Sequence, residues 1–213
     1  LRRLGMSIRD HSPRSPALPT YDDVLLWYND LALSVQRQIA GLDWAPLLGP
    51  RAFEVTSRAK TIDTLREKLQ RDHNTPLQNI QDLAGVRFEA EMSLDEQDVA
   101  ADQIASLFPD AAVIHDLRAT PHSGYRGVHI WLRLPARAEI QIRTHLQGHW
   151  ANMYEAAADA WCRAIRYDAI PTDPRMAEVV VAMRTLSTTR IAVIEDLRNR
   201  AERLRRDNSR RLN

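Results

Sequence analysis

Gly127-Val128-His129-Ile130-Trp131-Leu132-Arg133-Leu134, followed three residues later by Ala138-Glu139-Ile140-Gln141-Ile142-Arg143, alternates apolar and polar side chains. Successive side chains of a β-strand point to opposite faces, so each run reads as a strand. Val128, Ile130, Leu132 and Leu134 form the apolar side of the first, Ile140 and Ile142 that of the second. The other side carries His129, Trp131, Arg133, Glu139, Gln141 and Arg143. That mixture of imidazole, carboxylate, amide and guanidinium suits metal and phosphate chemistry. Alternation alone also describes the solvated outer face of an antiparallel sheet.

Working outward, Leu83–Met92 alternates in the same way, and Ala111–Leu117 is a further strand. Val24, Tyr28, Leu31, Val35 and Ile39 recur every three or four residues, which predicts an amphipathic helix over Tyr21–Leu42. Ser93 and Glu96 form a capping box opening a helix that runs to about Phe108. Glu54–Arg71 reads as a charged helix, and further helices are expected from about Thr144 to Ile165 and from Met176 to about Arg206. Leu1–Pro19, interrupted by Pro13, Pro16 and Pro19, reads as a mobile arm. The expected class is α+β, a mixed sheet of four to five strands flanked by helices. Its parts would be an arm (1–20), a central domain (21–167) and an Arg-rich helical extension (168–213).

The chain has 213 residues, 44% hydrophobic and 27% charged, ordinary for one soluble globular domain. No apolar run approaches the roughly 18–20 residues of a membrane helix. Nothing near Leu1 resembles a secretory signal. The single cysteine, Cys162, precludes an intrachain disulfide and argues against a thiolate zinc site, so a reducing, cytoplasmic setting is expected. The net charge of +1 argues against nucleic-acid binding by bulk charge.

Charge distribution says more than its sum. Only Lys60 and Lys68 are lysines; the other 27 basic residues are arginines. Lys60, Thr64, Lys68 and Arg71, spaced by 4, 4 and 3, would line one face of the expected helix with three cations and a hydroxyl. Such a stripe is either a solvated face or the seat of an anion such as a polyphosphate. Gly124-Tyr125-Arg126-Gly127 reads either as a hairpin turn or as a loop admitting a ligand close to Tyr125. From Arg190 to Asn213, eight arginines face four acids, a net of +4. This is either a solvated helix end that oligomerises or a cationic patch for RNA phosphates.

Together, Asp82-Leu-Ala-Gly-Val-Arg87, Gly124-Tyr-Arg-Gly-Val-His129, Glu139-Ile-Gln-Ile-Arg-Thr144 and Trp150-Ala151 resemble the synthetase domain of RelA/SpoT proteins. The segment Arg58-x-Lys60-x3-Thr64-x3-Lys68-x2-Arg71 is similar to that family's ATP-binding segment, with Thr where Ser is commoner. The resemblance covers about Arg58 to Ala151. It implies a nucleotidyltransferase-like fold, and a small single-domain synthetase that transfers the β,γ-pyrophosphate of ATP to a ribose 3′-hydroxyl.

On that resemblance Asp82 and Glu139 would hold Mg²⁺, and Glu139 would help deprotonate the hydroxyl. Arg58 and Arg87 would sandwich adenine. Lys60, Thr64, Lys68 and Arg71 would grip the phosphates. Tyr125 would stack on the acceptor base, with His129, Gln141 and Arg143 orienting these groups.

Asp116-Leu117, Pro121-His122 and Asn152-Met153-Tyr154-Glu155 depart from guanosine-alarmone synthetases. With Tyr154-Glu155-Ala156 through Arg163-Ala-Ile-Arg-Tyr167, they resemble the toxic branch, found in phages, prophages and actinobacteria and often paired with an antitoxin. The implied acceptor is the tRNA 3′ CCA end, with a guanosine or adenosine nucleotide as the alternative. A homo-oligomer is also compatible. Two other classes remain, a non-catalytic nucleotide-binding regulator and an RNA-binding module; the presence of both Asp82 and Glu139 speaks against the first.

Overall fold

The computed structural model describes residues 1–212, apart from the side chains of Arg58, Ala59 and Leu212. Five strands form one mixed sheet: β1 (Phe53–Ala59), β2 (Ala84–Ala90), β3 (Ala112–Asp116), β4 (Val128–Arg133) and β5 (Arg137–Thr144). Their order is β1-β2-β5-β4-β3, with β2 and β5 parallel and every other pair antiparallel. The helices are α1 (Arg2–Arg9), α2 (Tyr21–Ala40), α3 (Ala45–Leu48), α4 (Ile62–Arg71), α5 (Leu94–Ser106), α6 (His145–Ala160), α7 (Pro174–Thr185) and α8 (Ala192–Leu212). The α+β expectation is borne out.

The alternation works as read. Val86, Phe88, Ile130, Leu132, Ile140 and Ile142 are buried in one cluster with Val35 and Ile39 of α2 and Ala100, Ala101 and Ile104 of α5. Removing a large apolar side chain from water contributes roughly 1.5–3 kcal/mol, which fixes the register and turns the polar residues to the opposite face. A second cluster, with Trp150, Tyr154, Ile165, Val180 and Met183, joins α6 to α7. Among the described residues no helix is long and apolar enough to cross a membrane.

Several expectations are corrected, among them the helix from about Thr144 to Ile165, which ends at Ala160 and gives way to the short helix Arg163–Tyr167. Glu54–Arg71 is a strand followed by a helix: Phe53–Ala59 pairs antiparallel with β2, and α4 starts only at Ile62. Val55 and Thr56 are β-branched and favour the pleated backbone. Gln36 also fastens this strand to α2, donating to the Val55 carbonyl and accepting from the Ser57 hydroxyl. The expected arm contains α1, whose Leu4 and Ile8 are buried in the main cluster. Burial of Leu4 and Ile8, four residues apart on one helix face, outweighs the prolines that follow.

A helix reads as ending near Arg206; instead α7, a π-helical turn (Leu186–Ile191) and α8 run on to Leu212. Two arginines of α8 are tied to α5. Arg203 pairs with Asp95 at 2.6 Å, and Arg206 reaches Glu96 at 3.4 Å, which Arg51 also grips at 2.8 Å. Burial pushes the Glu96 carboxyl up, but the Arg51 and Ser93 hydrogen bonds prevail and hold it at about 2, from an ordinary 4.5. The Arg203 hydrogen bonds hold Asp95 at about 2 as well.

Carboxylates depressed in this way contribute stability that is complete above their unfolded pKa and lost as pH falls through the folded value. Thermal unfolding followed from pH 5 to 2 is therefore expected to show a falling midpoint. Glu96→Gln is expected to flatten that fall, and an unchanged slope in the variant would assign the acid sensitivity elsewhere.

Candidate active site

β1, β2 and β5 floor a cleft of about 510 Å³, walled by α4 on one side and by α6 and the short helix Arg163–Tyr167 on the other. Asp82 lies in the turn entering β2, and both of its oxygens are engaged. Lys60 Nζ, just after β1, donates to Oδ2 at 2.5 Å; Lys68 Nζ, on α4, donates to Oδ1 at 2.7 Å. The lysines thus meet at one carboxylate across a strand-to-helix corner rather than along one helix face. Burial raises the Asp82 pKa, but the two ammonium groups outweigh it and hold it at about 2.

Glu139, on β5, stands on the same side of the sheet. His129 Nδ1 and Trp131 Nε1 each lie 3.2 Å from its Oε1, and Gln141 Nε2 donates to Oε2 at 3.0 Å. Burial raises its pKa and the charge of Asp82 adds to that; the His129 contact prevails, and Glu139 sits below the usual carboxylate range. The two acids feel each other across the cleft.

Register completes the floor. Arg87 pairs with Gln141 and Gly85 with Glu139, while on β1 Thr56 faces Arg87 and the Arg58 backbone faces Gly85. Arg58 and Arg87 are therefore diagonal neighbours on adjacent strands, although the expected adenine contact of Arg58 lies outside the described residues. Arg87 also approaches Asn152 of α6 at 3.4 Å and Glu89 at 3.5 Å. Thr64 lines the cleft, its hydroxyl bonded to the Thr61 carbonyl at 2.9 Å. Arg71 lies over the Tyr167 ring at 3.7 Å from its centroid.

The cleft also gathers Arg163, Arg166, Tyr167, Glu155 and Asp159, to which the sequence reading gave no role. Arg163 pairs with Glu67 of α4 at 2.7 Å and Arg166 with Asp159 at 2.8 Å, so the far wall sets two arginines against two acids and is cross-linked to the near one. Their signal in the sequence is two arginines and a tyrosine within five residues after a helix. The basic stripe is not self-repelling, because acids from other elements interleave with it.

Tyr125 is half-buried against the second cluster. Its hydroxyl lies 2.8 Å from His129 Nε2 and accepts from Arg143 Nε at 3.0 Å, and the Arg143 guanidinium lies 5.0 Å from its ring centroid. Arg143 is buried and also donates to Gln141 at 2.5 Å. A chain Gln141–Arg143–Tyr125–His129–Glu139 thus runs along the polar face. The loop's glycines serve packing. Gly124 has φ +84°, where a side chain would be strained, and a Cβ there would meet Trp150 and Arg184 at 3.0 Å. At Gly127 a Cβ would lie 2.9 Å from the Tyr125 hydroxyl, so the missing side chain lets that tyrosine fold inward.

Residues 57–160 match the model of the region found in RelA / SpoT proteins. An uncharacterised protein of Mycobacterium tuberculosis is 51% identical over 173 residues, 80% of this chain and 62% of the relative. The chain thus spans less than two thirds of the length of the curated relatives it matches. Among solved structures, small alarmone synthetase 1 of Bacillus subtilis bound to its product pppGpp is 19% identical, covering 88% of this chain and 97% of that one, with a TM-score of 0.63. The same synthetase bound to AMPCPP is 18% identical, covering 86% and 98%, with a TM-score of 0.58. At these identities the likeness shows the fold.

Proposed function

Given a RelA/SpoT region across residues 57–160, we propose that this chain is a pyrophosphotransferase moving the β,γ-pyrophosphate of ATP to a ribose 3′-hydroxyl. The observation that carries this reading is a pair of ionised carboxylates, Asp82 and Glu139, at one cleft walled by Lys60, Lys68, Arg71, Arg163 and Arg166. Such cations can hold phosphate oxygens, and a carboxylate beside them can accept the proton of an attacking hydroxyl. The acceptor 3′-oxygen bonds to the β-phosphorus, the bond from that phosphorus to the α–β bridging oxygen breaks, and AMP leaves. The hydroxyl proton passes to Glu139, whose Oε1 and Oε2 are held by His129, Trp131 and Gln141.

Mg²⁺ fits this donor set. Among the described residues no three metal-binding side chains form a closed cage. Two carboxylates that share a cleft with the phosphates suit an ion held by few protein ligands. Asp82 and Glu139 would hold it, and it would neutralise charge developing on the phosphates. Lys60 and Lys68, which donate to Asp82, stand beside it to meet the phosphates.

For the acceptor, the tRNA 3′ CCA end, with a toxic outcome held in check by an antitoxin, is supported by exposed Arg2, Arg3, Arg14, Arg210 and Arg211 at the two ends of the chain. A free guanosine or adenosine nucleotide is favoured by one contrary observation. Arg203, Arg205 and Arg206, part of the basic tail, are already paired with Asp95, Glu202 and Glu96.

Labelled ATP offered in parallel with GTP, GDP, unlabelled ATP and deacylated tRNA tests both levels. Label in none of the products defeats the transferase reading; label in nucleotides and never in tRNA defeats the RNA reading. If tRNA is used, Arg210→Gln with Arg211→Gln is expected to flatten the salt dependence by about one unit of log–log slope per lost phosphate contact. ATP affinity should not change.

A further inference from the structure

Two buried groups of opposite charge on the polar face, Glu89 Oε1 and Arg143 Nη1, have no hydrogen-bond partner. The residues pair across β2 and β5, and the two atoms stand 3.6 Å apart, just beyond bonding range. The same Glu89 oxygen lies 3.5 Å from Arg87 Nε, two residues back along β2. One oxygen thus faces two guanidiniums and closes on neither. Its place is set by α6. A Cβ on Gly148, in the first turn of that helix, would lie 2.5 Å from Glu89 Oε2 and 2.9 Å from Oε1. Glycine therefore lets the helix come down onto the carboxylate, whose side chain is only 15% exposed. Burial works against the charge of Arg143, and Tyr125, Glu155 and Glu89 together outweigh it.

The two guanidiniums serve different ends of the site. Arg87 lines the cleft with Lys60 and Lys68, the cations that would hold the phosphates of ATP. Arg143 donates to Tyr125 and Gln141, and Gln141 donates to Glu139, the carboxylate that would take the acceptor's proton. We propose that Glu89 is a positioning residue that couples the ATP side of the site to the acceptor side, by sharing one carboxylate oxygen between Arg87 and Arg143. ATP that draws Arg87 into the cleft leaves that oxygen to Arg143. A shift of roughly 0.5 Å then brings the pair within the range of an ordinary hydrogen bond and fixes Tyr125 and Gln141 for the acceptor. By linkage, a bound acceptor favours ATP by the same factor. The names of the two sides rest on the pyrophosphotransferase reading; the shared oxygen does not.

The test reads binding without turnover. GTP, and separately a CCA trinucleotide, is titrated calorimetrically into the protein alone and into protein saturated with AMPCPP. In wild type, AMPCPP is expected to tighten the acceptor that binds by about fivefold or more, the lower end of ordinary coupling between sites. Glu89→Gln keeps the shape and removes the charge. Its gain should shrink to within about twofold, while the affinity for AMPCPP alone stays within about threefold of wild type. A merely structural residue would weaken each ligand by itself and leave the gain intact. That result overturns the proposal, as does a wild type without any gain. Should Glu89→Gln not fold, Gly148→Ala displaces the carboxylate with every charge kept and should lose the gain in the same way. Coupling that survives there, or a second failure to fold, overturns the proposal as well.

Transfer from labelled ATP, measured on the same wild-type protein, separates this inference from the reading it rests on. Coupled binding with no transfer to any acceptor defeats the transferase reading and leaves the coupling standing. Transfer without coupled binding defeats the coupling alone.

Discussion

Replacing Glu139 with glutamine is expected to lower pyrophosphoryl transfer by about a thousandfold, within the 10²–10⁴ range of a lost general base and before any weakening of Mg²⁺ binding. Glutamine keeps an oxygen that can accept from Trp131, so the fold should survive; what disappears is the charge that takes the proton. Asp82→Asn probes the opposite end of the cleft. Lys60 and Lys68 both point at Asp82, so neutralising it leaves two ammonium groups without their shared counter-charge. The ATP KM should therefore change together with kcat in that variant, whereas in Glu139→Gln the loss should fall on kcat. Steady-state kinetics at saturating Mg²⁺, with circular dichroism to verify folding, separate the two. Near wild-type turnover in Glu139→Gln would remove Glu139 from the chemistry.

What could be read from the sequence follows physical range. Four strands were legible because burial of one face imposes a period of two, which Val128, Ile130, Ile140 and Ile142 display without a partner in view. β1 was not, because as an edge strand it carries Glu54 and Thr56 on one side, while the other side holds only Val55 as a bulky aliphatic residue within it. The spacing of Lys60, Thr64 and Lys68 then suggested a helix several residues too early. Asp82 and Glu139 were recognisable from their motifs. The ion pairs of the tail were not, since Arg203 and Asp95 lie 108 positions apart and only the folded chain joins them. Trp131 could be placed on the polar face by alternation, but its exposed ring and bound N–H depend on β3 and β5 together.

Glu195→Ala is expected to destabilise the fold by about 3–5 kcal/mol. Glu195 lies on α8, in the segment that reads from sequence as an appended Arg-rich extension. It is nevertheless 3% exposed, with Oε2 accepting from Arg126 Nη1 at 2.5 Å and Oε1 from the Thr144 hydroxyl at 2.6 Å. Arg126 belongs to the Tyr125 loop, and Thr144 caps α6 at the end of β5. One carboxylate therefore ties the C-terminal helix to the loop and strand end that bear Tyr125 and Arg143.

Removing it strands the Arg126 guanidinium, 7% exposed, without its counter-charge, and the cost of that buried charge dominates the lost packing. For a chain of this size the melting midpoint should fall by roughly 6–20 °C, at about 2–4 °C per kcal/mol. Glu195→Gln keeps the acceptor without the charge and should fall between wild type and alanine. Arg126→Met combined with Glu195→Ala should recover part of the loss, because no buried charge is left unpaired. A Glu195→Ala midpoint within 2 °C of wild type would show that water reaches Arg126 and that the helix is not held there. By the same contact, a chain ending at residue 167 would leave Arg126 and Thr144 without their partner, and it should lose activity through this loop even with Asp82 and Glu139 intact.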